Sequence, residues 1–286
     1  MTLILDGKKI QKKIADELRE RVNKLKKTPT LVIFSLKPEP SSLLYIESKK
    51  EFGANVGCSV EHIELESSIS FEGIGGKIKE KNEDPEVDGV MIQLPFGSSN
   101  RTSKLLDLIH PSKDVDGLSA GNLASLFRGE EKILPATTRG ILEMLSFYNL
   151  SIEGKKAVIV GRSNLVGRPT AATFTNRDAT VVVCHSKTRN LVEEVLSADL
   201  VVSATGVPGL ISSEMMHSEQ IVLDVGISVG EEGLVKGDVD FQSALKTTMA
   251  VSPVPGGLGP LTVASLFLNL VDIAEGKVGH RQRLEG

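Results

Sequence analysis

The stretch Lys156-Ala-Val-Ile-Val-Gly-Arg-Ser-Asn-Leu-Val-Gly-Arg-Pro169 predicts a strand that turns at a glycine into a helix. Residues 157–160 are apolar, and three of the four are β-branched, which is typical of a buried strand. Gly161 ends the strand, and residues 166–176 are expected to form the helix. Such a turn directs the free N–H groups and the positive dipole end of the helix at whatever lies above it, so it predicts a phosphate site.

The spacing of this turn differs from G-x-G-x-x-G, because Ser163 stands where the second glycine is usual. Taken alone, the stretch is explained equally well by an ordinary strand–helix turn. Three more apolar runs favour the nucleotide site, at residues 180–184, 198–205 and 220–226. Strands alternating with helices predict an open parallel sheet that binds its ligand along the carboxyl edge.

The loop after the second of these strands indicates which dinucleotide is bound. NAD sites usually place a carboxylate there to bond the ribose 2′-hydroxyl, whereas NADP sites place a cation or a hydroxyl there. The loop here is His185-Ser-Lys-Thr188, and Arg162 is expected in the facing loop. Because the loop has no carboxylate, the predicted cofactor is NADP.

Composition narrows the class of protein. A length of 286 residues suggests about two domains, and a formal net charge of −4 gives no general attraction to nucleic acid. No apolar run approaches the length of a membrane span, so no membrane partner is expected. The two cysteines, Cys58 and Cys184, form no metal motif and no disulfide framework. The expected location is therefore the reducing cytoplasm, and no metal site is predicted.

The first half of the chain also has an α/β pattern. Helices are predicted over residues 6–27, 71–81, 138–150 and 261–273, and strands over residues 30–35, 59–65 and 87–94. Another helix is expected after residue 42, with Ser42 as its cap.

On that helix, Tyr45 and Lys49 are four residues apart and therefore project from one face. A phenol that can stack on a heterocycle is thus paired with an amine that can move a proton. The amine works near neutral pH only if burial and distance from carboxylates lower its pKa. On spacing alone, a solvated surface pair is the commoner interpretation.

Two other segments carry polar groups at the ends of predicted strands. Gln93 stands beside Pro95, where its amide can steer an ammonium or a substrate, or merely satisfy backbone groups. The segment Lys113-Asp-Val-Asp-Gly117 places two carboxylates in a turn. Either carboxylate can bind a cationic or N–H-rich ring edge, and an Asx turn explains the spacing equally well.

Taken in chain order, these segments resemble the bifunctional methylenetetrahydrofolate dehydrogenase/cyclohydrolase family, and the resemblance extends over nearly the whole chain. It is carried by Pro40-Ser-Ser-Leu-Leu-Tyr-Ile-Glu-Ser-Lys49, Ile92-Gln-Leu-Pro95, Lys113-Asp-Val-Asp-Gly117, Gly161-Arg-Ser-Asn-Leu-Val-Gly-Arg-Pro169, Val183-Cys-His-Ser-Lys-Thr188, Ala204-Thr-Gly-Val-Pro-Gly209, Asp224-Val-Gly-Ile227, Gly237-Asp-Val-Asp-Phe241 and Pro253-Val-Pro-Gly-Gly-Leu-Gly-Pro-Leu-Thr262.

The resemblance implies an α/β fold with an N-terminal α/β catalytic domain, a Rossmann-like NADP-binding domain and a cleft between them. The expected catalytic domain is residues 1–137 with 260–286, and the expected NADP domain is residues 138–259. The implied activities are NADP-dependent oxidation of 5,10-methylenetetrahydrofolate to the 5,10-methenyl compound and hydrolysis of that compound to 10-formyltetrahydrofolate. The family resemblance also implies a homodimer and tetrahydrofolate derivatives as substrates.

The resemblance further implies roles for individual residues. Lys49 matches the catalytic lysine, Tyr45 the aromatic that packs against folate, Gln93 the amide that tunes the lysine, and Asp116 the carboxylate that holds the pterin edge. Other matched positions are the substrate contacts Leu94, Pro255, Gly256 and Gly257 and the nucleotide contacts Gly161, Arg162, Ser163, Ser186 and Ile227.

Two segments depart from the family pattern. Relatives often continue Gln-Leu-Pro with Leu-Pro and a histidine, where this chain has Phe96-Gly-Ser-Ser-Asn100, and Pro135-Ala-Thr-Thr138 replaces Pro-Cys-Thr-Pro. These changes predict an altered substrate affinity or an altered balance of the two activities. Three alternatives stay open: a monofunctional dehydrogenase of the same family, a shikimate-dehydrogenase-like oxidoreductase, and a non-catalytic NADP- or folate-binding protein.

Overall fold

The structure is a computed structural model that describes residues 1–37, 40–96, 99–229 and 235–277. Its helices are α1 (Gly7–Val22), α2 (Pro40–Val56), α3 (Phe71–Glu83), α4 (Ser99–Leu106), α5 (Ala120–Phe127), α6 (Ala136–Phe147), α7 (Gly167–Thr175), α8 (Leu191–Leu196), α9 (Phe241–Thr247) and α10 (Leu258–Ala274). Its strands are β1 (Leu3–Ile4), β2 (Thr30–Leu36), β3 (Ser59–Leu65), β4 (Gly89–Ile92), β5 (Lys156–Val160), β6 (Thr180–Cys184), β7 (Leu200–Ser203), β8 (Ile221–Asp224), β9 (Ser228–Val229), β10 (Val235–Lys236) and β11 (Ala250–Val251).

The chain divides into two compact units. One contains Met1–Lys12 with Thr137–Thr262, and the other contains Lys13–Ala136 with the chain from Val263 onward. The N-terminal twelve residues thus group differently from the division expected from the sequence. The physical reason is that β1 pairs in parallel with β11, and a two-residue strand has no pattern that a sequence can show. As an assignment of function, the expected domain division stays a prediction.

The first unit is built on a six-stranded parallel sheet with the order β1-β11-β8-β7-β5-β6. Strands β7 and β8 are buried along their whole length, and β5 is buried apart from its first residue, as the apolar runs predict. The predicted open parallel sheet is therefore confirmed. Because β5 lies between β6 and β7, the strand order reverses there, and ligands bind at such a reversal outside the carboxyl ends of the strands.

The second unit is built on a three-stranded parallel sheet with the order β3-β2-β4. Helix α3 packs on one face through Ile74 and Ile78, in a cluster with Val32 and Phe34. On α2 and α10, the rings of Phe52 and Phe267 lie 5.4 Å apart between centroids. The predicted strands over residues 30–35 and 59–65 and the helix over residues 71–81 are confirmed within two residues.

Several helix boundaries differ from the prediction, among them the end of α1 and the start of α2. Helix α1 ends at Val22 instead of continuing to residue 27. Ser42 is not the cap of α2, because the helix begins at Pro40 and Ser42 is a buried residue inside it. A proline suits the first turn of a helix, since its missing N–H would have no intrahelical partner there.

None of the helices in the described part of the chain has the length and apolarity needed to cross a membrane.

The first turn of α1 packs closely against the loop that precedes α10. The backbone N–H of Gly7 donates to the carbonyl of Gly256 at 2.9 Å, and a Cβ atom on Gly7 would overlap the carbonyl oxygen of Gly257. We expect Gly7→Ala to lower the free energy of unfolding by about 1–3 kcal/mol, as overpacking does. Urea unfolding monitored by circular dichroism measures the change.

Gly76→Ala is the matched control, because Gly76 lies inside α3 and a Cβ there meets nothing within 4 Å. That substitution should instead stabilise the protein by about 0.5–1 kcal/mol, because alanine favours a helix interior. Equal effects of the two substitutions would contradict the close contact at Gly7.

Candidate active site

Lys49 lies on the buried face of α2. It shares that face with Ile46, Phe52 and Val56, and only 8% of its surface is exposed. Its Nζ donates a hydrogen bond to Oε1 of Gln93 at 2.7 Å. The ammonium is thus taken out of water and given one neutral acceptor.

Gln93 follows the last residue of β4, and its side chain is held in one orientation. Its backbone N–H donates to the carbonyl of Phe34 at 2.7 Å, which extends the pairing between β2 and β4. Its Nε2 donates to the carbonyl of Leu94 at 2.9 Å, which leaves Oε1 for the lysine. Among the two roles considered from the sequence, the structure shows both: Gln93 satisfies a backbone group and accepts from an ammonium.

The turn at residues 113–117 uses its two carboxylates differently. Asp114 is fully buried, and its oxygens accept from the N–H groups of Gly117 and Ser119 at 2.9 and 2.7 Å and from the Asn122 amide at 3.0 Å. Asp114 therefore holds this segment through N–H groups three and five residues further on, whereas an Asx turn would use the N–H two residues on. Asp116 remains partly accessible and lies close enough to Lys49 for each charge to influence the other.

Burial dominates the electrostatics of this pair. Loss of solvation lowers the pKa of Lys49, and the Asp116 carboxylate opposes that shift. Loss of solvation, helped by the negative charge of Asp114, raises the pKa of Asp116 to about 6, and Lys49 opposes that shift. The lysine is thus desolvated as expected, but a carboxylate is near it, which differs from the sequence-based requirement.

The other two predicted residues of this unit, Tyr45 and Leu94, differ in exposure. Tyr45, one turn before Lys49 on α2, is 40% exposed, and partial burial raises the pKa of its phenol. Leu94 is half-buried. At the surface of α2, Lys50 pairs with Glu47 at 2.7 Å, so Lys50 is a solvated counterpart of Lys49.

In the other unit, Gly161 lies at the carboxyl end of β5. Its φ angle is +123°, and a Cβ there would overlap the carbonyl oxygen of Ala204 after β7. Gly167, which was not singled out from the sequence, approaches the carbonyl of Gly161 equally closely. The need for a glycine at position 167 was missed because the spacing from Gly161 is one residue longer than that between the first and last glycines of G-x-G-x-x-G.

Ser163, in place of the usual second glycine, takes part in the turn itself. Its hydroxyl accepts from the N–H groups of Val166 at 3.2 Å and Gly167 at 3.5 Å, and its carbonyl accepts from Arg168. Ser163 therefore shapes the start of α7. Helix α7 begins at Gly167, one residue later than predicted.

The predicted nucleotide contacts are available at this edge. Arg162, Ser186 and Ile227 are exposed, each just beyond the carboxyl end of β5, β6 or β8. The loop after β6 folds on itself, because His185 N–H donates to the Thr188 hydroxyl at 2.9 Å. Since this loop offers a hydroxyl and cations but no carboxylate, the residues present fit a 2′-phosphate and therefore NADP.

The predicted substrate residues of the loop before α10 lie in the unit that contains the six-stranded sheet. Pro255 is exposed, Gly256 is half-buried, and Gly257 is buried against the backbone of Pro253. The structure thus brings Lys49, Gln93 and Asp116 together in one unit and places Pro255, Gly256 and Gly257 in the other.

The two departures from the family pattern have different environments. Phe96 is 1% exposed and belongs to the core around β2 and β4, while residues 97 and 98 lie outside the described residues. Thr138, at the start of α6, is fully buried, and its hydroxyl lies 3.2 Å from that of Thr170 on α7. Among the described residues, no group of three or more His, Cys, Asp or Glu side chains is arranged to hold a metal ion.

Comparison with known proteins gives consistent matches. Residues 5–116 match the sequence model of the tetrahydrofolate dehydrogenase/cyclohydrolase catalytic domain, and residues 135–278 match that of the NAD(P)-binding domain of the same family. The chain is 41% identical to the bifunctional protein FolD of Hydrogenobaculum sp. over 268 residues, which covers 93% of this chain and 96% of that protein.

Solved structures agree with the sequence matches. The bifunctional FolD methylenetetrahydrofolate dehydrogenase/cyclohydrolase of Campylobacter jejuni superimposes with a TM-score of 0.93 at 37% identity, covering 97% of this chain and 100% of that one. A Trypanosoma brucei methylenetetrahydrofolate dehydrogenase-cyclohydrolase, solved with NADP and an inhibitor, superimposes with a TM-score of 0.91 at 31% identity, covering 97% and 98% of the two chains.

The mutual influence of Lys49 and Asp116 is testable by titration. We expect the Asp116 carboxyl to titrate near pH 6, and Lys49→Met to raise that midpoint, because the lysine charge favours the ionised carboxylate. Carbon-13 NMR of labelled aspartate side chains measures the midpoint. Lys50→Met is the control and should leave it unchanged, since Lys50 pairs with Glu47. An Asp116 midpoint that falls in Lys49→Met would show that the sign of the coupling is wrong.

Proposed function

Because this chain belongs to the tetrahydrofolate dehydrogenase/cyclohydrolase family, we propose that it catalyses both reactions of that family. The first is NADP-dependent oxidation of 5,10-methylenetetrahydrofolate to the 5,10-methenyl compound, and the second is hydrolysis of that compound to 10-formyltetrahydrofolate. The observation that supports this most directly is the buried hydrogen bond from Lys49 to Gln93, beside a carboxylate with a raised pKa. Bound NADP supplies the acceptor for the hydride.

Lys49 is the proposed proton-handling group of the hydrolytic step. Water adds to the methenyl carbon and loses a proton, and a neutral amine at Nζ can accept that proton. Burial favours the neutral amine, because it lowers the lysine pKa. Gln93 directs Nζ through its hydrogen bond, so it acts as a positioning residue for the lysine.

The remaining residues of this unit are proposed to bind the folate. Asp116, partly accessible beside the lysine, is suited to accept hydrogen bonds from the N–H-rich edge of a pterin. Tyr45 offers a half-exposed ring that can pack on the heterocycle, and Leu94 offers an apolar contact. Pro255, Gly256 and Gly257 are proposed as further substrate contacts, supported by the family resemblance of their loop.

The carboxyl edge of the six-stranded sheet is proposed to bind NADP. Gly161 allows the backbone to approach the pyrophosphate, and Ser163 orders the turn that leads into α7. Arg162 and Ser186 are proposed to bind the 2′-phosphate, because a guanidinium and a hydroxyl both donate to phosphate oxygens. Ile227 is proposed as an apolar contact further along the edge, beyond β8.

One assay tests both reactions and separates the alternatives. The purified protein is given 5,10-methylenetetrahydrofolate with NADP or NAD while reduced cofactor is recorded, and in a second experiment it is given the methenyl compound alone. Reduced NADP together with accelerated decay of the methenyl compound is the expected result. Reduction without accelerated decay would show a monofunctional dehydrogenase. No turnover with either cofactor would favour the shikimate-dehydrogenase-like oxidoreductase or the non-catalytic binding protein, and turnover of other substrates would separate these two.

Lys49→Met should abolish the hydrolytic activity and retain part of the dehydrogenase activity. Loss of a positioned proton acceptor lowers a rate by about 10²–10⁴-fold, whereas hydride transfer depends mainly on orientation. Steady-state rates of the two reactions measure the difference. Lys50→Met, one residue away on the surface of α2, should retain both. Equal loss of both activities in Lys49→Met, together with lost folate binding, would mean that Lys49 serves mainly to bind or to hold structure.

Arg162→Ala should weaken NADP binding much more than NAD binding. A hydrogen bond between charged groups contributes about 1.5–3 kcal/mol, so a loss of about tenfold or more is expected for NADP alone. Titration calorimetry with both dinucleotides measures it. Arg128→Ala, an exposed arginine of the other unit, is the control and should change neither affinity. A parallel fall of both affinities in Arg162→Ala would contradict the assignment of the 2′-phosphate.

We further propose that the chain is a cytoplasmic homodimer. The family resemblance supports the dimer, and two buried free cysteines without a disulfide agree with a reducing compartment. Sedimentation velocity over a range of protein concentrations tests the dimer, and a single monomeric species at micromolar concentration would contradict it.

A further inference from the structure

Two aspartates are buried at the base of the β9–β10 hairpin. Asp224 is the last residue of β8, and Asp238 follows β10, with 3% and 1% of their surfaces exposed. Neither has a role in the reaction proposed above. Buried carboxylates are costly unless hydrogen bonds surround them, so the partners of these two show what they hold in place.

Asp224 holds the backbone on both sides of the hairpin. Its Oδ1 accepts from the N–H groups of Gly226 at 3.1 Å and Asp238 at 3.0 Å, and its Oδ2 accepts from Val239 at 3.0 Å. The entering and leaving strands of the hairpin are therefore tied to one carboxylate. Residues 225–227, which lead to Ile227, follow Asp224 directly in the chain.

Asp238 ties the same hairpin base to the end of β7. Its Oδ2 accepts from the Ser203 hydroxyl at 2.8 Å, the Thr205 N–H at 2.7 Å and the Thr205 hydroxyl at 2.8 Å. A Cβ atom on Gly226 would overlap the Asp238 carboxylate, and a Cβ on Gly237 would overlap that of Asp224. The packing thus has room for the carboxylates only because these two neighbours are glycines.

The two aspartates lie beneath the loops after β7 and β8, and the position of these loops on the sheet indicates which half of the dinucleotide they face. Arg162 and Ser186, the proposed 2′-phosphate contacts, follow β5 and β6. Strands β7 and β8 lie on the other side of β5, so the loops after them face the half of the dinucleotide that extends away from the adenosine. Gly206 and Ile227 belong to these two loops, and a Cβ on Gly206 would lie 3.8 Å from the carbonyl oxygen of Ile227.

We propose that Asp238 is a positioning residue for NADP, which holds the loop after β7 against the hairpin base so that both can contact the nicotinamide half of the dinucleotide. This inference rests on the proposed nucleotide site. Asp238 does not touch the dinucleotide itself, because its side chain is buried behind Ser203 and Thr205. Its effect on binding is transmitted through the Thr205 backbone and side chain.

The test compares two ligands that share the adenosine 2′-phosphate half and differ in whether the nicotinamide half is present. NADP spans the whole edge, whereas adenosine 2′,5′-bisphosphate carries only the adenosine half with its 2′-phosphate. Asp238→Asn should raise the Kd for NADP about tenfold, as expected when charge-assisted hydrogen bonds are lost, and leave the Kd for adenosine 2′,5′-bisphosphate within about twofold. A general loosening of the unit would instead weaken both ligands.

Two further variants make the outcome decisive. Thr205→Val keeps the shape of the side chain and removes one of the three donors to Asp238, together with the acceptor of the Val207 N–H. It should weaken NADP alone and less than Asp238→Asn does. Asp240→Asn is the control, because Asp240, two residues after Asp238, caps α9 through hydrogen bonds from Ser243. It should leave the affinities for both ligands unchanged.

The inference is overturned if Asp238→Asn and Thr205→Val bind NADP like the wild type, or if they lose both ligands equally. If the wild-type chain binds neither ligand, the proposed nucleotide site itself is wrong, and the inference fails with it.

Discussion

The burial of the Lys49 ammonium is the constraint on which the three-stranded unit depends. An unpaired charge in a protein interior is costly, and here the acceptor at 2.7 Å is the neutral amide of Gln93. That amide is aligned because the Gln93 N–H, just after β4, donates to the carbonyl of Phe34 on β2. The turn that supplies Asp116 is held from two sides, by Asp114 within the turn and by Asn269 of α10, which donates to the carbonyl of Val115 at 2.8 Å. Helix α2, the end of β4 and the turn at residues 113–117 thus place their polar groups near the Lys49 amine.

In the six-stranded unit the constraint is different: backbone segments approach one another closely at the carboxyl edge of the sheet. Gly161 lies against the backbone after β7, and Gly226 lies against a buried carboxylate. A side chain that holds these loops is buried beneath the edge, as Asp238 is beneath the N–H of Thr205. Among the described residues, the hydrogen bonds to the Asp238 side chain all go to Oδ2, and Oδ1 packs against Gly226 without a hydrogen-bond partner.

The regular elements could be predicted from the sequence because their patterns are local. Strands β3 and β6 have the predicted bounds, and β5 agrees within one residue, since apolar and alternating runs are local patterns. Burial is reported less directly, because the apolar run of β6 forms an edge strand in which only Cys184 is buried. Strand β1 could not be predicted, because two residues carry no period and only pairing with β11 defines them. Gly167 was missed because a spacing shifted by one residue no longer fits the known fingerprint, although the contact it permits is the same.

In the candidate site, the sequence could not predict which of two neighbouring aspartates would lie near the lysine. In Lys113-Asp-Val-Asp-Gly117 the two carboxylates are chemically identical, and only the folded structure shows that their surroundings differ. Asp114 serves the turn because its oxygens face N–H groups, whereas Asp116 lies near Lys49, which is distant from it in sequence. An ordinary ion pair moves the two pKa values apart, whereas burial here lowers the pKa of Lys49 and raises that of Asp116 to about 6. Desolvation therefore outweighs attraction for both members of this pair.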